Sequence, residues 1–262
     1  MDVTILGARG SVPTNGKDML EFGGSTSCVM VEAGDDVIFL DAGTGIMSAP
    51  DIGNRPISVI ITHPHADHLT GLPFFPYIYE KDRKIDIYML QRDGLSAYDQ
   101  ITRLISRPLW PCTVDEYASD VCCHDIKGPF MIGSVSVTTA ESDHPGGSSL
   151  IRLECGKASL VYATDYEHSE SGDRRLSDFA RGADLLLYDG QYTQEEFKTR
   201  QGFGHSTPQH GVFIMEKCGA KLMRIVHHDP RHTDDMLMKM EDGIRTDKIA
   251  FARQGEKICL LE

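Results

Sequence analysis

The sequence predicts an α/β chain of the α+β kind, with two sheets packed between helices in an αββα order. Three observations carry this. Short β-branched runs bounded by glycine and aspartate recur in both halves, helical segments fall between them, and no low-complexity linker divides the 262 residues. A single domain over 1–262 is expected.

In the first half the predicted strands span 3–6, 26–32, 36–40, 57–62 and 85–90. In the second they span 134–139, 148–154, 158–163, 184–188, 222–226 and 257–261. Helices are predicted over 94–105, 173–181, 193–199, 208–218 and 234–243. The fourth has the clearest ends: Thr207 as N-cap, Pro208 at the first helical position and Gly219 just past the last turn. The segment 94–120 fits the plan least. It holds the only tryptophan, Trp110, between Pro108 and Pro111, and is expected to be an inserted helix and loop serving as a lid or dimer contact.

Composition narrows the partners. A net charge of −13 argues against a grip on extended duplex or whole tRNA, because neutralising many phosphates calls for a basic face. A small anionic substrate held by metal ions remains compatible, and no stable nucleic-acid partner is expected. The seven cysteines form no C-x-x-C pair, so they are read as buried free thiols. No apolar run approaches the roughly 20 residues of a membrane span, and the opening residues read as a strand, so a cytoplasmic protein is expected.

The strongest chemical signal is Thr62-His63-Pro64-His65-Ala66-Asp67-His68, which follows the apolar run 57–61. A lone histidine of this kind is usually a solvated loop residue. Four good ligands at one strand exit, by contrast, can splay His63 and His65 toward one ion and Asp67 and His68 toward a neighbour. Further ligands should come from later strand ends, where His144, Asp165 and His227 stand.

On these residues the chain resembles the metallo-β-lactamase superfamily, and within it the phosphodiesterase branch that includes tRNase Z and bacterial cyclic-nucleotide phosphodiesterases. The resemblance runs from Leu6-Gly7-Ala8-Arg9-Gly10-Ser11-Val12-Pro13, through Leu40-Asp41-Ala42-Gly43-Thr44-Gly45, to His227-His228-Asp229-Pro230. It implies a four-layer sandwich with two divalent ions, zinc by preference, with manganese or iron compatible with the donor set. His63, His65 and His144 would hold the first ion, Asp67, His68 and His227 the second, and Asp165 would bridge them. His228 is expected beside the ligands, and Asp41 is expected to orient a ligand histidine.

Gly204-His205-Ser206-Thr207 resembles the histidine motif with which tRNase Z-like enzymes protonate a leaving oxygen, and Asp189 sits where they carry its acidic partner. An Asp189 to His205 hydrogen bond would orient the ring as a proton donor. Asp67, His205 and Asp189 are therefore the expected catalytic residues, with Trp110 and Ser11 as substrate contacts. Phe74 and Phe75 are read as core.

The implied reaction is attack of a metal-activated hydroxide on phosphorus. The motif combination is similar to bacterial and phage enzymes that open 3′,5′-cyclic nucleotides, some in counter-defence, which implies a cyclic-nucleotide substrate, a 5′-monophosphate product and a homodimer. The alternatives are a tRNase Z-like or single-strand nuclease, a phosphonate-pathway cyclic phosphodiesterase, and a thioester or lactam hydrolase. A flavin-linked redox member or a metal-free binding module is not expected.

Overall fold

Along Asp36–Leu40 the side chains alternate between two apolar clusters: Ile38 and Leu40 join one, Val37 and Phe39 the other. A strand that is apolar on both faces must be covered on both, and the layered architecture follows from that requirement. The computed structural model describes residues 1–260. Its first strands are β1 (Asp2–Gly7), β2 (Cys28–Ala33), β3 (Asp36–Leu40), β4 (Ile57–Ile60), β5 (Lys84–Leu90), β6 (Asp120–Ile126) and β7 (Phe130–Ile132). They are followed by β8 (Val135–Ser142), β9 (Ser148–Cys155), β10 (Ala158–Ala163), β11 (Leu185–Asp189), β12 (Leu222–Val226), β13 (Ile249–Phe251) and β14 (Lys257–Cys259). The helices are α1 (Ala66–Leu69), α2 (Ala97–Leu104), α3 (Glu170–Phe179), α4 (Gln194–Thr199), α5 (Pro208–Cys218) and α6 (Asp234–Asp242).

Two seven-stranded sheets result, ordered β14-β1-β2-β3-β4-β5-β6 and β13-β12-β11-β10-β9-β8-β7. In the first, β3 to β6 run parallel, and in the second β10 to β13 do so. The remaining pairings are antiparallel. One apolar cluster joins the inner faces, with Val31, Ile38 and Leu40 meeting Val137, Leu153 and Leu187. A second covers the outer face of the first sheet with Ala97 and Ile101 of α2, and a third covers the other sheet with Leu176 of α3, Ile214 of α5 and Leu237 of α6. These are the four layers the sequence predicts.

Three strands, β6, β7 and β13, were not anticipated. All lie at or next to sheet edges, where β6 carries Asp120, His124 and Asp125 and the other two have only three residues each, too short for a period to show. The predicted last strand is observed over Lys257–Cys259, and residue 261 lies outside the described residues. The helix predicted over 94–105 forms as α2, with a capping box between Ser96 and Asp99, and 208–218 forms as α5 with Thr207 capping and Gly219 left-handed. The rest of 94–120 packs on the outer cluster through Ile105, Val114, Trp110 and Tyr117. All seven cysteines are free thiols, but only Cys28 and Cys218 are buried. Among the described residues no helix is long and apolar enough to cross a membrane.

Candidate metal centre

The parallel strands of both sheets end facing one another, and the polar residues follow directly on those ends. Asp41 follows β3, His63 and His65 follow β4, Asp165 follows β10, Asp189 ends β11 and His227 follows β12. Asp67 and His68 lie on the single turn α1, and His144 follows β8. Asp41, Asp165 and His227 hold φ of 61°, 53° and 62°, a region L-residues rarely occupy. Each such residue costs about 1–3 kcal/mol, so three at one strand-end rim mark strain kept for what the side chains do there.

His63, His65, His144 and Asp165 bring one ligand atom each to within 4.8 Å of one another, and so do Asp67, His68 and His227. In the first group His63 Nε2 lies 2.8 Å from His65 Nδ1, which is 3.1 Å from His144 Nε2. Asp165 stands between the groups. Its Oδ1 is 3.7 Å from both His63 Nε2 and His144 Nε2, while its Oδ2 is 3.1 Å from His68 Nε2 and 3.4 Å from His227 Nε2. Asp67 Oδ2 lies 3.1 Å from His227 Nε2 and 3.3 Å from His68 Nε2.

Outer partners settle which nitrogens carry protons. Thr62 Oγ1 donates to Asp41, so it accepts from His63 Nδ1 at 3.0 Å. His144 Nδ1 donates to the Gly204 carbonyl (2.9 Å), His68 Nδ1 to Asp41 Oδ2 (2.7 Å) and His227 Nδ1 to Gln191 Oε1 (2.8 Å). With Nδ1 donating outward, all four rings turn Nε2 inward. His68 Nε2 is buried with no hydrogen-bond partner, although two carboxylates stand beside it. Two carboxylates facing this nitrogen call for positive charge between them, and imidazole and carboxylate donors suit zinc, manganese or iron. The residues fit two divalent ions.

The protonation tendencies agree. Burial pushes His63 well below the ordinary imidazole range, and it lowers His65 and His144 as well. Burial opposes charge on His68 and His227 too, but the Asp165 and Asp67 carboxylates overcome it, raising His68 well above its usual value and His227 to about 9. Against burial, the facing imidazoles hold Asp67 and Asp165 well below the carboxylate range. The second group thus demands positive charge.

Beside the cluster, His205 Nδ1 is 2.9 Å from Asp189 Oδ2, and its ring stacks on His227 with centroids 4.8 Å apart. The backbone N–H groups of Asp165, Gln191 and Ser206 also donate to Asp189. Ser11, at φ 65°, donates its backbone N–H to Asp67 Oδ2 across 2.7 Å. A cavity of about 270 Å³ opens beside His63 and His65. Trp110 is not among its lining residues; it packs edge-on against Phe74 and donates to Tyr117 Oη at 2.9 Å. Phe75 is core as expected, whereas Phe74 is exposed. His228 leaves the cluster altogether, packing between Phe22 and Phe251 and donating to the Ala252 carbonyl, with burial lowering it to about 3. Thr62, Gln191 and Gly204 were missed as partners of the histidines; no sequence signal pairs Gln191 with His227 or Gly204 with His144, 36 and 60 residues apart, whereas Thr62 stands next to His63.

The family described as Beta-lactamase superfamily domain matches residues 37–228, which spans β3 through the strand end at His227. The chain belongs to the metallo-β-lactamase superfamily. Within that superfamily, the ribonuclease Z of Haloarcula marismortui is 22% identical, the match covering 97% of this chain and 95% of that protein. Among solved structures, human tRNase Z, short form, superposes with a TM-score of 0.69 at 18% identity over 100% of both chains. A diphosphatase from the PhnP family gives a TM-score of 0.71 at 17% identity over 99% of both. These two structures show a shared fold.

Proposed function

We propose that the chain is a two-metal phosphodiesterase whose substrate is an RNA phosphodiester, as in ribonuclease Z. The observation that carries the reading is the His205–Asp189 pair at the edge of the ligand cluster. Hydrolysis of a phosphodiester expels an alkoxide, which needs a proton, and a lactam or thioester hydrolase has less use for such a donor. Divalent ions, zinc by preference, would be held by His63, His65 and His144 on one side and by Asp67, His68 and His227 on the other, with Asp165 between. They supply charge neutralisation at phosphoryl oxygens and acidify water to a pKa near 7. His205 holds the proton for the leaving oxygen, Asp189 keeps its ring aimed, and Ser11 steadies Asp67. The full-length likeness to a ribonuclease Z supports RNA over the cyclic nucleotides that the motifs alone suggest.

A second reading, hydrolysis of 3′,5′-cyclic nucleotides, is favoured by the net charge of −13, which suits a small substrate. The test is hydrolysis of a precursor tRNA, a single-stranded oligoribonucleotide and a panel of 3′,5′-cyclic mononucleotides with zinc or manganese, beside Asp67→Ala. RNA cleavage abolished by the substitution supports the first reading. Turnover confined to cyclic mononucleotides replaces it with the second, and turnover of none of these overturns both.

A further inference from the structure

The cavity that opens from His63 and His65 carries groups that the metal chemistry does not use. Besides those two histidines, it is lined by Arg92, Arg103, Gln100 and Leu104. Arg103 lies on α2, and among the described residues it forms no hydrogen bond or ion pair; its charge acts on Asp99, one turn back. Arg92 has a side chain only 10% exposed. It donates from Nη1 to Glu141 (3.0 Å) and from Nη2 to Ser149 Oγ (2.8 Å), while its Nε is buried without a partner. A Cβ at Gly147 would overlap the Arg92 guanidinium, so this close approach requires glycine, which also holds φ 80° there.

Charge decides what such a space takes. Asp93 also lines the cavity, Glu141 offsets Arg92 and Asp99 lies one turn from Arg103, yet among the described residues no carboxylate is in ion-pair contact with Arg103, on a chain with a net charge of −13. A guanidinium without a carboxylate, beside a site for anionic esters, matches a phosphate in both charge and fork geometry. The apolar side chain of Leu104 and the amide of Gln100 suit the sugar and base that accompany it.

We propose that this cavity is a second phosphate subsite, holding the phosphate that neighbours the scissile one, so that the preferred substrate carries two phosphates. This deepens, and rests on, the phosphodiesterase reading. A cyclic mononucleotide has one phosphate and leaves the subsite empty. An oligonucleotide fills it. The acidic chain thus recognises a short stretch of backbone through one local cation instead of a basic face.

The experiment compares three diribonucleotides, ApA, pApA and ApAp, which share one phosphodiester and differ only in a terminal phosphate. Equilibrium binding to the metal-free protein reads the subsite, and hydrolysis with zinc reads the chemistry. At least one phosphorylated form is expected to bind about tenfold more tightly than ApA, with the advantage falling to twofold or less in Arg103→Gln. Arg174→Gln, an exposed arginine paired with Glu170, is the control and keeps the advantage. Equal binding of all three dinucleotides, or an advantage undiminished in Arg103→Gln, overturns the subsite and leaves the phosphodiesterase reading standing. Absence of hydrolysis of all three, and of precursor tRNA, the oligoribonucleotide and the cyclic mononucleotides, overturns that reading and the proposal with it.

Discussion

His227 donates from Nδ1 to the amide oxygen of Gln191 across 2.8 Å, and the amide nitrogen of Gln191 reaches Ser11 Oγ at 3.3 Å. Ser11 in turn binds Asp67, whose Oδ2 lies 3.1 Å from His227 Nε2, so the four residues close a ring around half of the candidate centre. Partners of ligand histidines commonly affect metal affinity by about 10–100-fold. Gln191→Leu is expected to lower affinity for one of two ions within that range. Titration with a chelator, followed by elemental analysis, would read it; two ions retained at wild-type affinity would show that Gln191 does not hold His227.

The proton-donor role of His205 is testable through the leaving group. His205→Ala should lower kcat roughly 10²–10⁴-fold on an RNA phosphodiester, whose alkoxide needs a proton. On bis(p-nitrophenyl) phosphate, which expels a stable phenolate, the loss should be far smaller. Equal losses on the two substrates would remove the assignment.

Gly204 adopts φ 89°, its carbonyl accepts from His144 Nδ1, and a Cβ there would overlap that same nitrogen. Gly204→Ala is therefore expected to displace His144 and cost the first ion, with activity falling at least about tenfold. Metal content near one equivalent per chain is the predicted result. Two tightly held ions and full activity would contradict it.

His168 supplies a pH test away from the centre. It is stacked between Phe197 and His210, and burial, followed by the charge of His210, lowers it to about 4. In the unfolded chain its value is about 6.5, so its contribution to stability is fully present above that pH and is lost as pH falls toward 4. Across that window the unfolded chain binds roughly one proton more than the folded one at this position. His168→Phe keeps a ring in the stack, and the pH dependence of urea unfolding should become shallower by about that proton. An unchanged slope would show that His168 titrates normally in the folded state.

The histidine and aspartate cluster was legible in sequence because most of its members stand at or just past the ends of apolar strands. His63 and His65 follow Ile57–Ile60, Asp165 follows Ala158–Ala163 and His227 follows Leu222–Val226, and parallel strands deliver their last residues to one rim. The choice between His227 and His228 depends on one step of alternation: the first turns to the cluster and the second to Phe22 and Phe251. Gln191 and Gly204 escaped because they meet His227 and His144 across 36 and 60 residues of chain, which no local spacing records, and Thr62, next to His63, escaped because its hydroxyl gains its role only through Asp41, just past the neighbouring strand. Phe74 was misjudged as core because composition does not tell an exposed aromatic from a buried one; it lies on the surface with Trp110 packed edge-on against it. The edge strands were lost to their brevity and polarity.

Neither half of the chain owns a complete donor set. His63, His65, Asp67 and His68 come from the first sheet and its connections, while His144, Asp165 and His227 come from the second. An ion held by this full donor set would therefore be a rivet driven through both sheets, and it would be set only after the later strands had docked on the earlier ones. A nascent or proteolytically split chain has no route to that fastening. Tight metal retention would thus double as a record that the two halves were assembled in register.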